Sequence, residues 1–455
     1  MNKTKLYYWS ITVALAGFLF GFDTVVISGA DKALAEMWSG NTLFGDSDAF
    51  HGIVVMSSAL WGTVLGAIFG AYPTNKWGRK NTLILIGVLY SVSAIGSAMV
   101  SDPYLFAFFR FIGGIGVGAS TIAAPAYVSE IAPAKNRGQL VALYQFNIVF
   151  GILVAFASNY LINQNVTENA WRWMIGVEAI PAIIYTLMVF GIPKSPRWQI
   201  FKGKVEEAKK TLTLLNPNEN AQAQVDHILS VENTSVKKES VFSKKYKTPM
   251  LLVLVLAVFN QFSGINAFLY YSPRIFELAG LEESSALMSS IGVGIVNLLF
   301  TLLGMALIDR LGRKQLMYLG SLGYIISLGL VAYAFATDWL GMHVPVFFFL
   351  FIASHAIGQG AVIWVFISEI FPNHLRAQGQ SVGSSTHWVL AAIIPALVPL
   401  LFSKIGPATV FGIFAFMMVL QLIWVHFVMP ETKGVPLEEL SKQLANEKDK
   451  NLEIV

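Results

Sequence analysis

The sequence predicts an all-α membrane protein: twelve transmembrane helices in two pseudo-symmetric halves of six. Three observations carry this reading. Of 455 residues, 55% are hydrophobic and only 13% are charged, whereas a soluble chain carries about 25% charge; the solvating groups are too few for a surface of this size in water. Apolar runs recur from end to end, each near the ~20 residues that a helix needs to cross hydrocarbon. The chain also repeats itself. WGRK at 77–80 returns as LGRK at 311–314, and YVSEIAPAKNR at 127–137 returns as FISEIFPNHLR at 366–376, displaced by 234 and 239 positions.

The expected spans are 7–30, 52–73, 82–100, 104–129, 139–161, 172–192, 249–272, 285–308, 315–336, 344–368, 379–402 and 408–429. Helices are expected because lipid offers no partner to a free backbone group, and these runs lack the two-residue alternation of barrel strands. The short basic start MNKTKLYYWS leads into an apolar run too long for a signal peptide and is read as entering the first span. Loops holding Lys76, Arg79 and Lys80, then Lys135 and Arg137, then Arg310, Arg313 and Lys314, then Arg376 are basic. They alternate with loops holding Asp46, Asp102, Glu168, Glu282 or Asp338. The positive-inside bias places the basic set and both termini in the cytoplasm, in an inner membrane. This divides the chain into a six-helix half at 1–192, a cytoplasmic linker with short helices at 193–248, a second half at 249–430 and a polar tail at 431–455. The formal charge of +4 gives no reason to expect nucleic acid, and the absence of cysteine excludes disulfides and thiolate metal sites. Neither a cofactor nor a metal is expected, and the working unit is expected to be a monomer in the bilayer.

Several motifs have a structural reading. Gly62, Gly66 and Gly70 place three glycines on one helix face, where a neighbour can approach closely. GGIGVGA at 113–119 mimics a dinucleotide fingerprint, but it follows no strand and lies inside a span. The sequons at Asn165 and Asn233 carry little information, since the second falls in the linker. The paired loops NKWGRK and DRLGRK are topology signals. They also suggest an inner ion-pair latch with Glu130 and Glu369, drawing on Arg79, Arg137, Asp309, Arg313 and Arg376, that holds the inner side closed and releases as the halves rock.

Charges inside spans are costly and by default mark function. Asp23 interrupts the uncharged run GFLFGFDTVVISG, Arg110 lies in the fourth span and Glu178 in the sixth. At ~1.5 Å per residue all three come to about 10 Å inside the same face of the membrane. One reading is a static ion pair that fixes helix packing. The other is a proton site: burial favours the neutral acid, a nearby arginine favours the anion, and a group held between the two can exchange protons as access alternates.

The second half supplies uncharged polar groups. FNQFSGINAFLYYSP in span seven carries Asn260, Gln261, Asn266, Tyr270 and Tyr271, with Gln261 and, in span eight, Asn297 near the midplane. Gln145 in span five, Trp364 in span ten, and His387 with Trp388 in span eleven add amide, imidazole and indole groups. Amides pair donors with acceptors as vicinal hydroxyls require, and aromatic faces cover the apolar side of a small ring. Interhelical hydrogen bonding explains any one of these groups; the set fits a neutral polyhydroxylated ligand.

From GFLFGFDTVVISG through RFIGGIGVG, the two SEI segments, SPRW and QFSGINAFLYYSP to PETKG at 430–434, the chain resembles a sugar porter of the major facilitator superfamily. The resemblance implies that Gln145, Gln261, Asn266, Asn297, Trp364 and Trp388 contact a sugar, with Asn260 and His387 at positions beside them. It also implies that Tyr270 and Tyr271 belong to an outer gate. Proton-coupled members carry a carboxylate at the position of Asp23 and match Arg110 and Glu178, whereas facilitative carriers usually lack that aspartate. The expected function is proton-coupled monosaccharide symport by alternating access, and no enzymatic activity. A uniporter on the same fold and a transport-inactive sugar receptor are the alternatives. Asn75 stands where the family has aspartate, Lys194 where it has glutamate, Asn260 where it has glutamine and His387 where it has an amide. Span ten reads GQGAVIW in place of a proline-bearing motif.

Overall fold

A chain this apolar satisfies its backbone locally, and the computed structural model is helical almost throughout. It describes residues 3–133, 137–215, 220–232, 240–372 and 375–435. Among these residues there are no strands, only an isolated bridge between Leu43 and Asp46. The first half contains α1 (Lys3–Val26), α2 (Ser47–Phe69), α3 (Arg79–Met99), α4 (Pro103–Ile131), α5 (Arg137–Asn165) and α6 (Ala170–Phe190). The second contains α7 (Lys244–Leu278), α8 (Glu283–Leu311), α9 (Arg313–Ala336) and α10 (His343–Glu369). The helical stretch Arg376–Phe427 follows and bends at Gly406, with φ of 77° just ahead of Pro407, into α11 (376–405) and α12 (407–427). That bend turns eleven long apolar helices into twelve spans, in the positions expected. The polar tail beyond residue 435, Lys135 and Asn233 lie outside the described residues.

The chain forms two units. One comprises Met1–Gly40 and Ile53–Val236, the other Asn41–Gly52 and Lys237–Val455. The linker residues up to 236 therefore go with the first unit. Three short helices, Pro196–Phe201, Val205–Leu215 and Ala221–Glu232, close there over Ile200, Ala208, Leu212 and Val225. The loop between α1 and α2 goes with the second unit. Its Asp46 caps the start of α2 through the Ala49 amide and pairs with Lys404 at 2.8 Å, and Asp48 lies 3.9 Å from Arg274.

Lipid supplies little hydrophobic drive between helices, so close packing must, and small residues permit it. In the first unit a Cβ on Gly62 or Gly66 would collide with the carbonyls of Phe111 or Ile115 on α4. One on Gly114 or Gly118 would collide with those of Ala59 or Thr63 on α2. The glycines of GGIGVGA are thus the packing surface of α4. The α1–α5 contact is built alike: Gly21 lies against the Ile148 carbonyl, and Gly151 against that of Phe18. The second unit relies more on aromatic rings, with Phe268 stacked on Phe348 at 4.1 Å and edge-on to Phe351 at 5.7 Å. We expect Gly114→Val to lower the stability of the detergent-solubilised protein by about 2 kcal/mol, as overpacking does. Gly412→Ala, where an added Cβ meets nothing within 4 Å, should leave it unchanged. Thermal unfolding followed by size-exclusion chromatography checks both.

Candidate functional site

In the first unit the three predicted charges meet. Asp23 sits in the last turns of α1, Arg110 on α4 and Glu178 on α6; they are 2%, 0% and 1% exposed. Arg110 Nη1 donates to Asp23 Oδ1 at 2.5 Å, its Nη2 donates to the Asp23 carbonyl at 3.2 Å, and Nη1 stands 4.0 Å from Glu178 Oε2. Gly113, one turn after Arg110, lets α3 approach closely beside this pair. A Cβ on Gly113 would run into Ser93 Oγ and stand 3.9 Å from Asp23 Oδ1. Asn159 secures the end of α1 by donating to the Val26 carbonyl at 3.1 Å. One guanidinium thus serves two buried carboxylates, the nearer one held through both its side chain and its backbone.

In the second unit the polar groups lie where helices break. Span α7 is interrupted at Gly264, whose φ of 81° favours glycine. Asn260 and Gln261 precede the break and Asn266 follows it. Asn266 Nδ2 donates to Gln261 Oε1 at 2.8 Å; Gln261 Nε2 donates to Asn260 Oδ1 at 3.0 Å and approaches His387 Nδ1 at 3.1 Å. An amide nitrogen only donates, so the facing imidazole nitrogen accepts. His387 is edge-on to Trp364 and to Trp388, with both centroid distances at 5.0 Å. Trp364 is 38% exposed, whereas Trp388 is buried. Span α10 breaks at Gly358 (φ −83°, ψ −103°), the place where the sequence lacks the proline motif. Gln359 just after the break is held by Gln421, which donates on to Ser321 Oγ at 2.7 Å.

Four predicted residues stand apart from this network. Tyr271 donates its hydroxyl to the Pro395 carbonyl at 2.9 Å at a kink in α7, and Tyr270 is buried beside it. Asn297 on α8 accepts from Thr301 at 3.4 Å. Gln145 is half-buried on α5 of the first unit.

The ion-pair networks are two copies of one design, each inside its own unit. Arg79 contacts Glu130 at 2.8 Å, and Glu130 accepts from Ser195 Oγ at 2.5 Å. Arg313 contacts Glu369 at 2.7 Å, and Glu369 accepts from Thr432 Oγ1 at 2.6 Å. Asn75 takes the place of Asp309: each offers an oxygen 3.2 Å from the arginine Nη1, neutral in one copy and charged in the other. Lys194 lies near enough to Lys80 to repel it. Arg376 is half-buried at the start of α11, and the side chain of Arg137 lies outside the described residues. Sequence reasoning missed Ser195, Thr432 and Glu431. The available signal was that SPRW and ETKG each follow the last span of a half, 237 positions apart at Ser195 and Thr432. Gly78 and Gly312, with φ of 89° and 94°, start α3 and α9. The first lies under the Trp198 indole, the second against Glu431, whose Oε2 is 2.6 Å from where a Cβ would stand.

Two six-span repeats, two helices broken beside polar side chains and a compensated buried charge cluster define a secondary membrane transporter. Residues 9–444 match the family described as sugar (and other) transporter. The chain is 33% identical to the arabinose-proton symporter of Bacillus subtilis, covering 95% of this chain and 94% of that one. It is 33% identical to the D-xylose-proton symporter of Escherichia coli K12, covering 96% of each. It superimposes on the inward-open structure of the E. coli xylose transporter with a TM-score of 0.86, at 30% identity over 96% of this chain and 99% of that one. The chain belongs to the sugar transporter family of the major facilitator superfamily.

Glu431 lies beyond the last span. Partial burial pushes its pKa upward, but backbone N–H groups of Arg313, Lys314, Thr432 and Lys433 donate to its carboxylate and hold it below the ordinary glutamate value. A depressed pKa contributes stability above the unfolded value, lost as pH falls through the folded one. Glu431→Gln should therefore be less stable at pH 7, by about 1 kcal/mol or less once solvent screening of this partly exposed group is counted. The gap between variant and parent should close as the pH falls below 4.

Proposed function

We propose that the protein is a proton-coupled monosaccharide symporter working by alternating access, with Asp23 as its proton site. The observation that carries this reading is the pairing of two buried carboxylates with one guanidinium. Arg110 balances one of them; the second is balanced in a water-poor interior only by a proton. Protonating Asp23 loosens its hold on Arg110 and lets the outward state admit sugar; closure, inward opening and release of both follow. Glu178 tunes Arg110 or relays the proton. The named activities of the relatives, proton symport of arabinose, D-xylose and galactose, support the same reading.

The sugar site of the second unit is the self-bonded set Asn260, Gln261, Asn266 and His387, walled by Trp364 and Trp388 and joined by Asn297. Both donors of Gln261 are already engaged, so a hydroxyl that binds there exchanges one hydrogen bond for another and leaves no amide unpaired. Tyr270 and Tyr271 form the outer gate. The arginine–glutamate networks steady the inner ends of each unit as the units rock. The basic loops and both termini face the cytoplasm of a cell whose inner membrane holds the protein as a monomer surrounded by lipid.

Uptake into proteoliposomes of radiolabelled D-xylose, L-arabinose and D-galactose tests the reading. With an inward proton gradient of one pH unit, one-to-one coupling concentrates a transported sugar about tenfold, since each unit is worth about 1.4 kcal/mol. Asp23→Asn should abolish this accumulation yet retain equilibrium exchange. Equal accumulation by both proteins points to a proton-independent carrier, and no flux by either points to a receptor. Gln261→Ala strands Asn266 and His387 and should raise the half-saturation constant for sugar about tenfold or more. Exchange kinetics would measure it, and an unchanged constant would remove Gln261 from the site.

A further inference from the structure

Membrane helices normally satisfy a serine hydroxyl on a carbonyl one turn back. This chain does so repeatedly: on α3, Thr82 donates to the Gly78 carbonyl at 3.1 Å and Ser91 to that of Gly87 at 2.9 Å. Ser93 and Ser97 of the same helix do not. Their hydroxyls are 1% and 0% exposed by residue and have no hydrogen-bond partner, and the same holds for the hydroxyl of Tyr90, at 0%. Positions 90, 93 and 97 lie on one face of α3, spaced three and four apart.

That face points at the charge cluster. Ser93 Oγ and Asp23 Oδ1 flank Gly113, where a Cβ would collide with the first and stand 3.9 Å from the second. Gly87 lies under Thr186 and Ala98 against Gly176, which sets Glu178 level with the stretch between Ser93 and Ser97. Tyr90 interacts electrostatically with both Asp23 and Glu178. Neither oxygen of Glu178 has a hydrogen-bond partner, although the residue is 1% exposed. Five unpartnered polar atoms thus gather on this side of the cluster, three along about two turns of α3 and two on Glu178. Toward the outer end, Trp38, Phe106 and Trp171 pack with centroids 5.1–6.5 Å apart, and Arg172 donates to the Ala98 and Val100 carbonyls at 2.7 and 2.9 Å.

Buried polar atoms left without protein partners are commonly met by ordered water, which needs two to four such partners. We propose that Tyr90, Ser93 and Ser97 hold a short string of enclosed water molecules between Glu178 and Asp23, and that the coupled proton passes along it. The transfer balances: the Glu178 carboxyl gives its proton to the adjoining water, that water gives one of its own onward, and Asp23 receives one. Moving the proton from one carboxyl to the other leaves the total charge of the Asp23–Arg110–Glu178 cluster unchanged, and the hydroxyls of Tyr90, Tyr144 and Tyr185 are the other titratable groups facing this interior. The three α3 hydroxyls are positioning groups for water and touch no sugar. The relay rests on the symport reading above; the hydration does not.

Radiolytic hydroxyl labelling of the protein in lipid nanodiscs, in ¹⁸O-water and without sugar, tests the hydration. Tyr90 should be oxidised several-fold faster than Phe106, which is equally buried but packed among aromatic rings. Ser93→Ala with Ser97→Ala should bring Tyr90 down to the Phe106 rate. Labelling of Tyr90 at the Phe106 rate in the unsubstituted protein overturns the proposal. In proteoliposomes with D-xylose, the double variant should exchange sugar normally but take up protons with it at least tenfold more slowly, and Ser93→Thr should keep the parent rate. Normal proton uptake by the double variant overturns the relay; if that variant does not fold, Ser93→Ala alone makes both comparisons. A parent protein that moves D-xylose without protons overturns the symport reading and the relay with it, while the labelling still decides hydration.

Discussion

A fully buried guanidinium governs the first half of this molecule. Arg110 has no exposure, so its charge must be met where it stands. Asp23 meets it with a side-chain oxygen and a backbone carbonyl at once, which fixes the end of α1 against α4. Glycines let the surrounding helices close on the pair. Gly113 admits Ser93 of α3 beside Asp23, and Gly17, Gly21 and Gly151 let α1 settle into α5. The segment GFLFGFD thus carries both its buried aspartate and the glycines that seat its helix.

The two units solve their end-capping problem twice with different chemistry. In each, a glycine with positive φ starts the third span of the half, an arginine follows it, and a glutamate in the last turn of the fourth span accepts from that arginine and from a hydroxyl beyond the sixth span. The first copy fills the remaining space with an indole, Trp198; the second fills it with a carboxylate, Glu431, bound to successive backbone amides. Asn75 and Asp309 differ by a charge yet hold the same distance from their arginines, so position in the fold sets the geometry and residue identity sets only its electrostatic strength.

Much of this was legible in the sequence because it follows from one-dimensional constraints. Span length, alternating basic loops and the internal repeat fix twelve helices in two halves, and counting residues along them sets Asp23, Arg110 and Glu178 at a common depth. What could not be read is rotational and between helices. Depth does not reveal that Arg110 grips Asp23 closely and Glu178 at 4.0 Å, nor that Gln261 is already saturated by Asn260, Asn266 and His387. The breaks at Gly264 and Gly358 carry no proline, so the local signal for a discontinuous helix was weak. Ser93 and Ser97 look in sequence like ordinary helical serines; only the direction of their hydroxyls separates them from Ser91.

The halves also divide the chemistry along a physical line. The first unit concentrates ionisable groups in an interior walled off from bulk solvent, where a change of one proton alters the local energy strongly because little solvent responds. The second concentrates amides and indoles at broken helices, where hydrogen bonds can be exchanged one for one at small net cost. A carrier that couples the two must keep them distinct. Sugar hydroxyls admitted to the acid cluster would solvate Asp23 and blunt its response to protonation, while a fixed charge among the amides would hold one sugar orientation too tightly to release it. In the reading proposed above, coupling would run through α1, whose end Arg110 grips and protonation of Asp23 frees. That separation is a stronger reason for two repeats of unequal chemistry than the demands of folding, which a symmetric pair would meet equally well.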